Sequence, residues 1–334
     1  MKIRFLLLFC LFSGMSLSAQ DDDYYGKLAA DTTRGGWRYV ISPDGLNLRS
    51  LPDLKSKVLR KILFNEKVQL VSPEHFGRDT IGQLEYFSLE GQPYQQPIDG
   101  FWLKVRYKQT EGYMFSAYLG WTLSELREEE KMLNQDFVLL FAEIGCNNNV
   151  FYRPDWHWYG VYKQDADWLL KNVKVSFYNI PMDMMGDVIS TNDNRNLQFI
   201  LGSRKPLTEK VIRSKDGFER GIEDKPLTTY NGKLLVDSTL KQYNLTILRD
   251  EGQNYWDTQK LVFQRNGRRQ EMKLSSYDGT WNLQWCGDLD GDGLDDYIIR
   301  FGEQIAKTIL FLSKSASKGQ LIKPVAVYYS GYCC

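Results

Sequence analysis

The stretch DGLNLRSLPDLKSKVLRKILFNEKVQLV, residues 44–71, decides the fold of the first part of this chain. Leu46 and Leu48 alternate with Asn47 and Arg49, so the two leucines share one face of an extended strand. Turn residues bracket that strand, Pro43-Asp44-Gly45 before it and Pro52-Asp53 after it. A run from Val58 to Leu63, a turn at Asn65-Glu66 and a run from Val68 to Val71 repeat the pattern. Downstream, FWLKVRY (101–107) alternates again, and GYMFSAYL (112–119) closes the unit. Short strands with one apolar face and tight turns predict an antiparallel β unit over residues 37–120.

The segments DGLNLRSLPDLKSKVLRKILFNEKVQLV, IDGFWLKVRY and EGYMFSAYL together resemble a bacterial SH3 domain. That family's pattern is a G-[LV]-N-[VL]-R strand, a Pro-containing loop, a G-W-x-K-V strand, and a G-[WY]-[VM] strand ending in Y-[LV]. The resemblance implies an SH3-like small β-barrel and a role in binding peptidoglycan, another glycan or an envelope partner peptide. Asn47, Arg49, Trp102 and Tyr113 are the candidate ligand-binding residues on its groove. One departure stands out: residues 72–99 form a long insertion where the family has a short hairpin loop. It carries His75, Phe76, Tyr86, Phe87 and Tyr94 and reads as a surface loop, either binding or decorative.

With 334 residues and 43% hydrophobic content, the chain is long enough for two globular domains. Lys+Arg and Asp+Glu both number 42, so no overall charge draws it to nucleic acid or to an anionic membrane, and any binding must come from local surfaces. Residues 1–19 read as a signal peptide: Lys2 and Arg4, an apolar run from Phe5 to Phe12, then small residues ending in Ser18-Ala19. Phe9 precedes Cys10 where a lipobox needs a small residue, so the expectation is an exported, periplasmic or extracellular protein with no stable membrane insertion. Residues 20–36 read as a polar linker.

Export makes Cys146, Cys286, Cys333 and Cys334 disulfide candidates. Adjacent cysteines rarely bridge each other, so Cys333 and Cys334 would pair with Cys146 and Cys286 in one of two arrangements.

Residues 121–135 read as a linker helix. Thr122 and Glu125 form a capping box, Leu123, Leu126 and Leu133 recur at helical spacing, and Glu128-Glu129-Glu130 reads as its solvated side. Residues 136–334 are strand-rich, with Asn266-Gly267 marking a hairpin turn between KLVFQR and RRQEMKL. No repeat with a period of 20–50 residues is visible, so a β-sandwich or a partial propeller-like assembly is expected. The aromatic run Trp156-His157-Trp158-Tyr159 reads as strand packing more than as a sugar platform.

GDLDGDGLDD, residues 287–296, sets carboxylates at Asp288, Asp290, Asp292 and Asp296, with the Leu294 carbonyl between the last two. Hard oxygen donors on alternate residues of a glycine-permitted bend suit Ca²⁺. Position twelve is Ile299 rather than the bidentate Glu of an EF-hand. Instead, GDLDGDGLDDYIIRFG followed by KTILFLSKSASKGQ resembles the FG-GAP/VCBS calcium loop, which implies those five residues as metal ligands and a structural role. Asp295, off the ligand pattern, is expected to face solvent. Catalysis has weak support: beyond the leader only His75 and His157 are available, no strand-to-helix turn exposes a thiol, and a Cys146/His157 envelope hydrolase is the alternative to a non-catalytic binding or scaffold protein.

Overall fold

The computed structural model describes residues 36–87, 93–120, 128–142, 144–145, 152–164, 167–180, 186–212, 228–230, 233–236, 245–250, 259–274, 281–301 and 305–331. These residues are mostly β, as expected. The leader, the linker, Cys146, Cys333, Cys334 and residues 121–127 with their capping box lie outside them.

Seven strands build the first unit: β1 (Trp37–Val40), β2 (Leu46–Arg49), β3 (Val58–Ile62), β4 (Lys67–Phe87), β5 (Pro93–Tyr107), β6 (Thr110–Phe115) and β7 (Leu119–Gly120). They form one antiparallel sheet in the order β3-β2-β6-β5-β4-β1-β7, curled into a half-barrel. Alternation decides what goes inside. Phe101, Leu103, Val105 and Tyr107 of β5 fill the curl with Leu48, Ile62, Val68 and Met114, while Trp102 points to the other face. Gly45 (φ 79°) is needed where β2 begins, because a Cβ there would lie 2.5 Å from the Ile62 carbonyl oxygen.

The insertion is not a surface loop. β4 and β5 continue through it as a paired hairpin to Phe87 opposite Pro93, with three register shifts along the way. Those shifts twist the hairpin so that Leu84 and Ile98 fold back over Trp102 and Phe115. Val188, from the second half of the chain, completes that cluster. The inserted segment therefore cements the SH3-like sheet to the rest of the molecule.

The one α-helix among the described residues, α1 (Glu128–Leu133), leads into the second half. Its acidic run is not solvated throughout. Glu130 is buried, and Glu129 accepts from Lys307 Nζ (2.6 Å) and from the Tyr329 hydroxyl. Asn134 caps the docking by mimicking a strand: its Oδ1 accepts from Val327 N (2.8 Å) and its Nδ2 donates to the Val327 carbonyl (3.2 Å).

The second half begins with β8 (Phe137–Leu140), β9 (Ile144–Gly145), β10 (His157–Gln164), β11 (Asp167–Asn172), β12 (Val175–Ile180), β13 (Gly186–Thr191), β14 (Leu197–Ser203) and β15 (Lys210–Ile212). It continues with β16 (Thr228–Tyr230), β17 (Lys233–Val236), β18 (Leu245–Asp250), β19 (Gln259–Arg265) and β20 (Arg268–Leu274). β21 (Trp281–Gly287), β22 (Asp296–Phe301), β23 (Ile305–Leu312) and β24 (Lys323–Gly331) end it. These pair antiparallel into sheets β15-β11-β10-β14-β8, β12-β13-β9, β16-β17-β18-β19-β20 and β21-β22-β23-β24.

The four-stranded sheet is the middle layer of a stack. On β22, Ile298 packs toward the β10–β14 sheet while Tyr297, Ile299 and Phe301 pack toward the β18–β19 sheet. On β23, Leu310 and Leu312 face the first and Ile309 and Phe311 the second. Burial on both faces is why these strands read as unbroken apolar runs. The result is two sandwich interfaces sharing a central sheet. Trp158 and Tyr159 are buried in this half: Trp158 stacks on Tyr152 (4.9 Å), and the Tyr159 hydroxyl donates to the Leu207 carbonyl (3.0 Å).

Candidate functional site

The Asp-rich loop joins β21 to β22, so the central sheet fixes both of its ends. Asp296, the first residue of β22, is fully buried. Its Oδ2 accepts from the backbone N–H groups of Leu289 (2.9 Å) and Asp290 (3.3 Å), and its Oδ1 from Ser313 N (2.7 Å) and Oγ (3.0 Å). Asp288 accepts from Gly291 N (2.7 Å) and Gly293 N (3.0 Å), which curls the loop around it. Both glycines have positive φ, 80° and 82°, the conformation that L side chains resist.

These contacts bring together Asp288, Asp290 and Asp296, each offering an oxygen within 4.8 Å of the others. The loop's own N–H groups bond oxygens of all three carboxylates, but Asp290 Oδ2 is buried with no hydrogen-bond partner. Burial, with the Asp290 charge second, pushes the Asp296 carboxyl up to about 7. Burial and then the Asp292 charge raise that of Asp290. With buried Asp296 and the orphaned Asp290 oxygen, Asp288, Asp290 and Asp296 are the residues among those described that could hold a hard cation.

Asp292 stands apart from the three, its Oδ2 accepting from Ser313 Oγ (2.8 Å) and its Oδ1 from Leu294 N (2.8 Å). The Leu294 side chain is exposed. Ser313, which ties Asp292 to Asp296, was not singled out from sequence. It follows the apolar run of β23, and its only signal was the polar break at Ser313-Lys314. Asp295 is half-buried rather than solvent-facing and lines a small recess with Arg265 and Tyr297.

On the SH3-like sheet, alternation and register put the four groove candidates on the face away from the Leu48–Val105 core, where Trp102 alone of the four is buried. Asn47 and Arg49 lie half-buried on β2, and Arg49 Nη1 donates to the Ser56 carbonyl (2.8 Å), pinning the loop before β3. Tyr113 sits opposite Arg49 in register and packs edge-on against Phe76 (5.1 Å). Trp102 is 2% exposed: its indole N–H donates to Asp79 Oδ2 (2.6 Å) and its ring lies under the inserted hairpin. It is therefore removed from any open groove, because the hairpin and Val188 cover the face to which alternation assigns it.

His75 lies edge-on to Phe101 (5.1 Å), and the side chains of Tyr86, Phe87 and Tyr94 lie outside the described residues. His157 is exposed at the start of β10, opposite Ser203. Cys286 is buried in the central sheet.

No curated protein and no solved structure matches the chain. A family model does, over residues 44–120, and those residues hold β2 to β7, six of the seven strands of the curled sheet. This part of the chain is a bacterial SH3 domain.

Proposed function

We propose that this is an exported, non-catalytic binding or scaffold protein of the bacterial cell envelope, whose SH3 domain engages peptidoglycan or a partner peptide. The observation that carries this reading is the SH3 domain itself: such domains are usually found in exported or cell-wall proteins and commonly bind peptidoglycan or cell-wall components. The buried hairpin contact supports a scaffold in which the binding module is held rigidly. In the alternative, a Cys146/His157 hydrolase, His157 stands exposed on a strand and Cys146 lies outside the described residues. Co-sedimentation with purified sacculi, with soluble muropeptides measured in the supernatant, tests binding and catalysis together.

Calcium is the second part of the proposal. The Asp288–Asp296 loop would hold Ca²⁺ through Asp288, Asp290 and Asp296, with Asp292 and the Leu294 carbonyl as the remaining donors of the FG-GAP/VCBS-like pattern. The orphaned Asp290 Oδ2 supports it. A bound divalent cation would add to the counter-charge that Lys314 gives Asp290, bracing β22 and, through Ser313, the end of β23. In the same oxidising setting, Cys146 and Cys286 would pair with Cys333 and Cys334, tying the last residues to the fold.

A further inference from the structure

We infer that the loop before β3, together with β3 itself, is a peripheral contact surface for an anionic lipid bilayer. Nine large apolar side chains are exposed among the described residues, and five of them fall between residues 51 and 63: Leu51, Leu54, Val58, Leu59 and Leu63, each 38–62% exposed. Singly exposed leucines need no explanation, but a cluster on one short segment does.

Slack does not account for it. Ser50 N donates to the Lys57 carbonyl (2.9 Å), Ser56 Oγ to the carbonyls of Leu51 (2.9 Å) and Asp53 (2.8 Å), and Lys55 N to Asp53 Oδ1 (2.7 Å). With Arg49 holding the Ser56 carbonyl, the loop is hydrogen-bonded into shape while its leucines face water.

The surrounding charge names the partner. Residues 49–67 carry six Lys and Arg against Asp53 and Glu66, in a chain that is neutral overall, and Glu66 already accepts from the Tyr107 hydroxyl (2.6 Å). Cations interleaved with leucines match a headgroup layer: leucines enter the acyl boundary while long basic side chains stay with the phosphates. An added strand from an acidic protein fits less well. β3 is an edge strand, but its register with β2 shifts at Leu59, and bulges and basic side chains are what blunt an edge against pairing. This surface borders the groove candidates, Lys61 standing opposite Asn47 in register, but its bilayer partner does not depend on the peptidoglycan proposal.

The test is vesicle co-sedimentation of residues 20–334, which omit the apolar leader. Binding is expected to vesicles of half phosphatidylglycerol and half phosphatidylcholine at 0.1 M NaCl, and to be lost at 0.5 M NaCl or with pure phosphatidylcholine. The pair Lys55→Gln/Lys61→Gln should bind roughly 25-fold more weakly, at about fivefold per cation, while Lys55→Arg/Lys61→Arg retains affinity. Leu51→Asp/Leu63→Asp should also lose binding with an unchanged melting temperature. No sedimentation of the wild type with anionic vesicles, equal binding to neutral ones, or capture by polyglutamate beads without vesicle binding would overturn the inference. Sacculus binding by the same variants reports on the earlier proposal alone.

Discussion

Adding calcium is expected to raise the melting temperature of this protein, and removing one carboxylate oxygen set is expected to abolish the rise. Extracellular calcium modules bind with Kd of roughly 0.1–1 mM, so 10 mM Ca²⁺ stabilises the folded state by about 1.4–2.7 kcal/mol. For a β unit of roughly 200 residues each kcal/mol moves the midpoint by about 2–4 °C, giving a rise of roughly 3–10 °C over an EDTA-treated sample. Asp290→Asn is the sharpest variant, because Asp290 Oδ2 is the buried oxygen that nothing else satisfies. In EDTA it should melt no lower than the wild type, since a buried charge facing Asp292 and Asp296 has gone. In 10 mM Ca²⁺ it should show less than about 1 °C of the rise. Asp288→Asn, on the open side of the loop, should behave alike and guards against misfolding of a buried variant. Differential scanning calorimetry reads all three proteins in both buffers. Equal midpoints for the wild type in calcium and EDTA, or a rise that persists in both variants, would refute a structural metal.

Three further outcomes follow from the packing. Trp102→Ala should cost about 3–5 kcal/mol and loosen the hairpin from the second half, read as faster amide exchange at Leu84 and Val188. Tyr107→Phe should destabilise at neutral pH and not in acid. The Tyr107 hydroxyl, and then the Leu63 N–H, hold the Glu66 carboxyl below its ordinary 4.5. Its contribution is thus complete above 4.5 and fades as pH falls through the lowered value, so urea midpoints of the two proteins should converge below pH 4.5. Asn134→Leu should cost about 1–3 kcal/mol by leaving the buried Val327 N–H and carbonyl without partners, measured as a drop in urea midpoint at unchanged slope.

What could be read from sequence follows from how many faces of a strand are buried. LNLR and the LKVRY end of β5 bury one face, so their alternation alone located β2 and β5 and the inward Leu48, Leu103 and Val105. YIIRF and TILFL bury both, so their unbroken apolar runs announced strands but not the stacked layers on either side. The inserted hairpin was illegible because HFGRDTIGQ is polar and its register shifts break the period of two, which hid that Trp102 lies beneath it. Glu129 looked like part of a solvated face because its partners, Lys307 and Tyr329, come from the end of the chain. The Asp loop was legible as a pattern, since its carboxylate spacing is local. Ser313 was not, because only the β22–β23 pairing brings it to Asp296.

The most direct test is to incubate residues 20–334 with purified sacculi and with envelope extract, then follow retention of the protein and release of soluble muropeptides. Retention on sacculi or capture of a specific envelope protein, with no muropeptide released across pH 5–8, is the expected result. Muropeptide release, or failure to be retained by either material, would contradict a non-catalytic envelope-binding role.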